Sequence, residues 1–169
     1  MARNVEVKAR LSGLADARRA AEKVGARFEW IDEQVDRYYQ VGDESRVKLR
    51  TCGRAPAELI RYARPETSGV RASEYEVLPV RDAEAHACLV PKTPPVVVVR
   101  KTRELWLLDN VRIHLDTVDG LGTFLEFEAV VDESHDEARC HTQVHALLPE
   151  FGITERDCVR ASYSDLLRA

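Results

Sequence analysis

Residues 4 to 11, NVEVKARL, alternate strictly: Asn4, Glu6, Lys8 and Arg10 share one parity, and Val5, Val7, Ala9 and Leu11 the other. Successive side chains of a strand point to opposite faces, so this period of two predicts a strand with one apolar and one charged face. The pattern recurs. In RVKLR, Arg46, Lys48 and Arg50 oppose Val47 and Leu49; in VRIHLD, Arg112, His114 and Asp116 oppose Val111, Ile113 and Leu115. In FLEFEAV, Glu126 and Glu128 oppose Leu125, Phe127 and Ala129, SEYEV groups Glu74 with Glu76, and RKTR groups Lys101 with Arg103. With RFEWI, QVDRYYQV and ELIRYAR as further extended candidates, eight or nine strands are expected. Gly42-Asp43, Cys52-Gly53, Asp109-Asn110 and Gly120-Leu121-Gly122 supply turn chemistry for antiparallel hairpins.

Three segments carry the other period. LADARRAAEKVG places Leu14, Ala17, Ala21 and Val24 at helical spacing and stops at Gly25. DAEAHACL and HDEARCHTQVHALLPEF are also expected to be helices, the second with Ala138, Val144, Leu148 and Phe151 near one face.

A strand pattern with charge on one side fits two architectures. In an open sheet or sandwich the charged face is simply wet. In a closed barrel the lumen is polar, and the apolar outside is covered by the helices. Charges inside a protein cost several kcal/mol each unless paired, hydrated or met by a ligand, so a lumen holding many of both signs calls for a complementary guest. Lysines and arginines beside a smaller carboxylate cluster suit a polyphosphate with its divalent metal. Guanidinium forks hold phosphate oxygens, and paired carboxylates hold Mg2+ or Mn2+.

Composition narrows the classes. The chain has 169 residues, 44% of them hydrophobic, enough for one domain with a real core. A net charge of -4 argues against a nucleic-acid partner. No run approaches the roughly 18 to 20 apolar residues of a membrane span, and MARNVEVK lacks the apolar stretch of a signal peptide, so no membrane partner and a cytoplasmic location are expected. Cys52, Cys88, Cys140 and Cys158 form no CxxC pair and read as reduced thiols.

NVEVKARL resembles the ExExK signature of the CYTH superfamily, the triphosphate tunnel metalloenzymes. RVKLR, VRKTREL, VRIHLDTVDGLGTFLEFE and SYSDLL are similar to the family's later motifs in the same order. The resemblance implies an α+β fold: a closed eight-stranded antiparallel β-barrel, or tunnel, with a polar lumen and a few flanking helices, in a single domain over residues 1–169. It also implies a small-molecule triphosphate substrate with Mg2+ or Mn2+, in a family that includes class IV adenylyl cyclases, thiamine triphosphatases and inorganic tripolyphosphatases. Carried over by position, Glu6, Glu126 and Glu128 become metal ligands with Asp116 as a further one. Lys8, Lys48, Arg50, Lys101, Arg103 and Arg112 grip phosphate, and Lys8, Glu6, Glu126 and Glu128 form the catalytic set.

Departures from the pattern matter too. Asn4 stands where the signature usually begins with Glu, which weakens a second metal site. Ala63 stands where a lysine is often found, so Arg61 or Arg64 is expected to replace it at the phosphate. SYSDLLRA has no lysine, unlike some thiamine triphosphatases, so thiamine triphosphate drops as a favoured substrate. Tyr38, Tyr62, Tyr75, Trp106 and Phe124 are candidates to stack on a base. His141 and His145, four apart on a helix, read as helix surface, and His114 as a hydrogen-bonding group. Hydrolysis and cyclisation both remain open, as do a monomer and a homodimer. The competing readings are a non-catalytic module on the same barrel, binding a phosphate metabolite or polyphosphate, and a structural barrel whose charged face only meets solvent.

Overall fold

Alternation along the chain becomes pairing in space. The computed structural model describes residues 2–41, 45–63, 70–80 and 92–169. Among them β1 (Ala2–Leu11) is followed by α1 (Leu14–Lys23), β2 (Arg27–Val41), β3 (Ser45–Cys52), β4 (Ala57–Ala63) and β5 (Arg71–Val80). Then come β6 (Val97–Leu108), β7 (Val111–Val118), β8 (Gly122–Val130), α2 (Glu137–Glu150) and the short α3 (Tyr163–Leu166). The strands form one curled antiparallel sheet in the order β1-β5-β4-β3-β2-β6-β7-β8, with β1 paired to both β5 and β8. The two sides of β1 are unequal. Its register with β8 runs from Asn4↔Val130 to Leu11↔Thr123, whereas that with β5 stops at Glu6↔Arg71. Beyond that point the C-terminal segment takes over the edge: Val159 N–H donates to Lys8 O and Arg10 N–H to Asp157 O, both at 2.8 Å, around an Ala9↔Cys158 bridge.

The main core lies outside the wall. Val5, Val7 and Ala9 of β1, Ile113 and Leu115 of β7, and Leu125 and Phe127 of β8 pack against Ala17 and Ala21 of α1 and Cys140, Val144 and Leu147 of α2. Removing a ring as buried as Phe127 from such a core costs about 3–5 kcal/mol. The helices are capped as their sequences ask. Asp136 accepts from Arg139 N–H at the start of α2, Ser162 and Asp165 form a reciprocal capping box on α3, and Gly25 adopts φ +80 just past α1.

RFEWI and QVDRYYQV are one strand. β2 runs unbroken through both, and its pairing with β6 slips between Phe28↔Trp106 and Trp30↔Leu105. The extra residue, Glu29, reverses the facing of everything before it. Phe28 stacks edge-on against Trp106 on the outer side, ring centroids 5.2 Å apart, while Trp30, Asp32, Gln34, Asp36 and Tyr38 line the lumen. The segments DAEAHACL and Gly42-Asp43, and Arg64 and Cys88, lie outside the described residues, as do the side chains of Arg46, Tyr62 and Tyr75. No helix among the described residues is long and apolar enough to cross a membrane.

Candidate functional site

The charged parities of the strands converge on one cavity of about 520 Å³, a size typical of a small-molecule site. One wall is set by register. Glu6 sits opposite Glu128 and Lys8 opposite Glu126 across β1 and β8; His114 meets Glu126, and Arg112 meets Glu128, across β7 and β8; Arg103 meets Asp116 across β6 and β7. Antiparallel partners on one face stand close enough for direct side-chain contact, and an ion-pair chain results. Lys8 Nζ lies 3.2 Å from Glu126 Oε1, and Arg103 Nη2 donates to Glu126 Oε2 at 2.8 Å. Arg103 also holds Asp116 as a fork, Nε to Oδ1 at 2.7 Å and Nη2 to Oδ2 at 2.6 Å. Across the ring, Arg50 grips Asp36 in the same way at 2.8 Å on both arms, with Lys48 Nζ 3.6 Å away. Each fork fixes its guanidinium with two of five N–H groups, and Arg103 spends a third on Glu126, so Arg50 keeps three and Arg103 two rigidly held donors suited to phosphate oxygens.

Burial and charge set the protonation states. Burial raises the carboxyls of Asp36 and Asp116, but the adjoining Arg50 and Lys48, and Arg103 and Lys101, outweigh it and hold both well below the usual range. Glu126 is likewise held low against its burial, chiefly by Lys8, and Glu128 by His114. The buried amines move the other way. Burial pulls Lys48 down to about 8, and burial together with the Arg103 charge pulls Lys101 down to about 7. His114 is lowered by burial and then by Arg103, which favours the neutral imidazole.

Among the described residues, one group in this wall could hold a divalent cation. His114, Glu126 and Glu128 each offer a donor atom, all within 4.8 Å of one another. Nδ1 of His114 has no hydrogen-bond partner and stands 3.8 Å from both carboxylates. Two carboxylates with one imidazole suit Mn2+ well, while Mg2+ is served by the oxygens.

Most of the expected residues meet in the cavity. Glu6, Lys8, Lys48, Arg50, Lys101, Arg103, Arg112, Glu126 and Glu128 all line it. Two do not belong where they were expected. Arg61 is exposed on the outer face of β4, because Glu58 and Ile60 are the residues of that strand turned inward. Asp116 is fully buried and does not line the cavity, with both oxygens engaged by Arg103, Oδ2 also by Tyr163 Oη at 2.8 Å and Lys101 Nζ 3.5 Å away, so it anchors these cations and lies outside the three-residue donor group. Glu6 lines the lumen beside Glu128 but lies outside the three-residue donor group. Trp106 packs in the outer core, and Phe124 meets the Tyr163 ring edge-on at 5.0 Å.

Several lumen groups escaped the sequence reading. Asp32, Gln34 and Asp36 become legible once β2 is taken as one strand, since they continue the inward parity back from Tyr38. Tyr163 enters from α3 and closes one end: Lys8 Nζ lies 4.2 Å and Lys101 Nζ 5.3 Å from its ring centroid. No local pattern in SYSDLL announces that contact.

The comparisons with known proteins agree with this geometry. The profile of the CYTH domain family matches residues 2–163. "Putative adenylate cyclase MJ0240" of Methanocaldococcus jannaschii is 23% identical over 96% of this chain and 97% of its own. Among solved structures, the PH1012 protein of Pyrococcus horikoshii superposes with a TM-score of 0.83 at 23% identity, covering 96% of this chain and 98% of that one. A Vibrio parahaemolyticus protein described as a "putative adenylate cyclase" gives 0.81 at 19% identity, covering 98% of each chain.

Proposed function

The chain belongs to the CYTH domain family, and from that membership we propose that it is a divalent-metal-dependent enzyme acting on a triphosphate held in the lumen. The observation that carries this reading is the donor group His114, Glu126 and Glu128 set in the same cavity as the forked Arg50 and Arg103 and the amines of Lys8, Lys48 and Lys101. Phosphoryl transfer asks mainly for charge neutralisation and alignment, which such a wall supplies. A bound Mg2+ or Mn2+ would polarise phosphate oxygens and offset charge on the leaving group. The protein's share is explicit. Arg103 and Arg50, pinned by Asp116 and Asp36, present N–H groups to phosphate oxygens without reorganising. Lys101 and Lys48, pulled down by burial to about 7 and about 8, take up protons as the polyanion arrives. Tyr163, whose hydroxyl is pushed up by burial, stays protonated, donates to Asp116 and closes one end against water.

Two outcomes share this machinery. A water aligned on the terminal phosphorus gives hydrolysis; a ribose 3′-hydroxyl aligned on the α-phosphorus of ATP gives cyclic AMP, with pyrophosphate leaving. The relatives described as putative adenylate cyclases make cyclisation the first product to assay. The test incubates the protein with Mn2+ or Mg2+ and ATP, GTP, thiamine triphosphate or tripolyphosphate, resolving orthophosphate, pyrophosphate and cyclic nucleotide beside a Glu128→Gln control. Product that vanishes with the control supports the enzyme. Binding of tripolyphosphate with no product from any substrate would overturn it in favour of a binding module, for which the uncharged Asn4 is the sequence feature.

A further inference from the structure

Away from Tyr163 the lumen changes character. Trp30, Leu105, Val77 and Ile60 line it there beside Asp32 and Arg54, and the four apolar residues offer nothing to a phosphate. An apolar, aromatic mouth on a tunnel for a bare polyanion would only displace water from charge. We infer that this mouth is a subsite for a planar aromatic group carried by the triphosphate, with Trp30 as the stacking platform and Arg54 as its cover; this rests on the proposed triphosphate activity and names its substrate class as an organic triphosphate.

Three observations carry the inference. The first is the bulge at Glu29. Without it, Phe28 would share the inward parity of Trp30; with it, Phe28 packs outside on Trp106 and one indole alone enters the mouth from this end of β2. Bulges beside functional sites re-aim side chains in this way. The second is the cover. Cζ of Arg54 lies over the Trp30 ring, 5.8 Å from its centroid. That exceeds the ~3.5–4.0 Å of direct contact and falls slightly short of the ~7 Å that a flat ring stacked on both sides needs. Arg54 is exposed and can make up the difference, while its backbone is held in place. Asp32, two residues from Trp30 on the same face, accepts from the N–H groups of Gly53 and Arg54, each at 3.3 Å. A Cβ at Gly53 would stand 3.2 Å from Asp32 Oδ1, so a side chain there would press on this tether.

The third observation is a pair of unanswered acceptors. Asn4 Oδ1 and Gln34 Oε1 are buried in the lumen wall without hydrogen-bond partners, on residues only 2% and 5% exposed. Buried carbonyl oxygens of this kind are normally satisfied. Phosphate oxygens are acceptors themselves, whereas the amino and hydroxyl groups of a nucleoside-like moiety are donors that would answer them.

The test compares ATP and thiamine triphosphate with inorganic tripolyphosphate on the full chain, in wild type, Trp30→Leu and Trp30→Phe, measuring Kd and kcat/KM for each. Stacking of one base on an aromatic side chain is worth ~1–3 kcal/mol, which is about 5- to 150-fold. Trp30→Leu should therefore weaken the organic triphosphate by about tenfold or more and leave tripolyphosphate within about twofold, and Trp30→Phe should recover most of the loss. Which organic triphosphate shows the loss tells a purine from a thiamine-type ring. In a Trp106→Phe background, where Trp30 is the remaining indole, ATP should quench the fluorescence and tripolyphosphate should not; this readout holds even if Trp30→Leu fails to fold. Equal weakening of both ligands, or ATP bound without any change at Trp30, overturns the subsite and leaves the triphosphate function standing. Quenching by ATP with no turnover of any substrate overturns the enzyme and leaves the subsite.

Discussion

Asp116 on β7 and Glu128 on β8 are both carboxylates on the charged parity of their strands, and their surroundings could hardly differ more. At the end closed by Tyr163, Asp116 accepts from both arms of Arg103 and from the tyrosine hydroxyl, all at 2.8 Å or less, with Lys101 in reach. Toward the mouth, Glu128 meets Arg112 Nε at 3.4 Å and His114 at 3.8 Å. A buried charge must be satisfied. Where the protein does that itself the group is structural, and where it does so only loosely a ligand is expected to complete the job. Strand parity treats the two carboxylates as equals; partner distances tell them apart.

The comparison can be broken by substitution. Asp116→Ala takes the nearest carboxylate from Lys101 and leaves Arg103 with Glu126 alone, and breaking a buried pair of this kind costs ~3–5 kcal/mol; a urea titration should show a much lower midpoint. Glu128→Gln should do the opposite, with a midpoint close to wild type and triphosphate turnover down by about 100-fold, the upper end of what altered metal support produces. If both variants lose stability equally, the distinction fails. Tyr163→Phe removes one hydrogen bond to a carboxylate, worth ~1.5–3 kcal/mol, and should lower the midpoint less than Asp116→Ala, as the same titration will show.

Proton uptake sharpens the contrast further. Lys101 titrates at about 7 in the folded protein and at ~10.4 in an unfolded chain. Between those values the unfolded chain carries a proton that the folded one has lost, so Lys101 makes the ligand-free protein gain stability as pH rises through that window. Lys48, at about 8, adds to the trend over its upper part. The carboxyls of Asp36, Asp116 and Glu126 are lowered instead, so their contribution is complete above the ordinary carboxylate range and is lost as the solution is acidified below it. A polyanion in the lumen favours the charged amines, so tripolyphosphate binding near pH 8 should take up a fraction of a proton. Calorimetry in buffers of different ionisation enthalpy measures this, and no buffer dependence would count against the assignment. The smallest effect belongs to Arg61→Ala, on the outer face: turnover within about twofold and stability within about 0.5 kcal/mol of wild type.

Much of the wall could be read in advance because β1, β3, β7 and β8 alternate cleanly, and there one parity leads directly to Glu6, Lys8, Lys48, Arg50, Arg112, His114, Glu126 and Glu128. β4 could not be read so. Leu59 and Ile60 are both apolar and both buried, so ELIRYAR offers no contrast between faces, and Arg61 was assigned to the wrong one. β2 failed for another reason: the bulge at Glu29 makes RFEWI and QVDRYYQV look out of phase, which hid Trp30, Asp32 and Gln34. For Asp116 the parity reading was sound, but no one-dimensional pattern contains its partners, Arg103 thirteen residues away and Tyr163 forty-seven. The helices α1 and α2 were legible because caps and apolar spacing are local.

The two-sided satisfaction of β1 carries a consequence for how the chain reaches this state. β1 is synthesised before the strands it pairs with: one edge waits for β8, more than a hundred residues later, and the other is completed by Asp157 and Val159, later still. Contacts so distant in sequence slow folding, and at ~5–20 residues per second synthesis itself takes longer than most elementary folding steps. Until residues 157–159 emerge, the signature strand keeps an open backbone edge beside its apolar face. The nascent protein is therefore most exposed to mispairing with a neighbouring chain at the strand that later supplies Glu6 and Lys8 to the lumen.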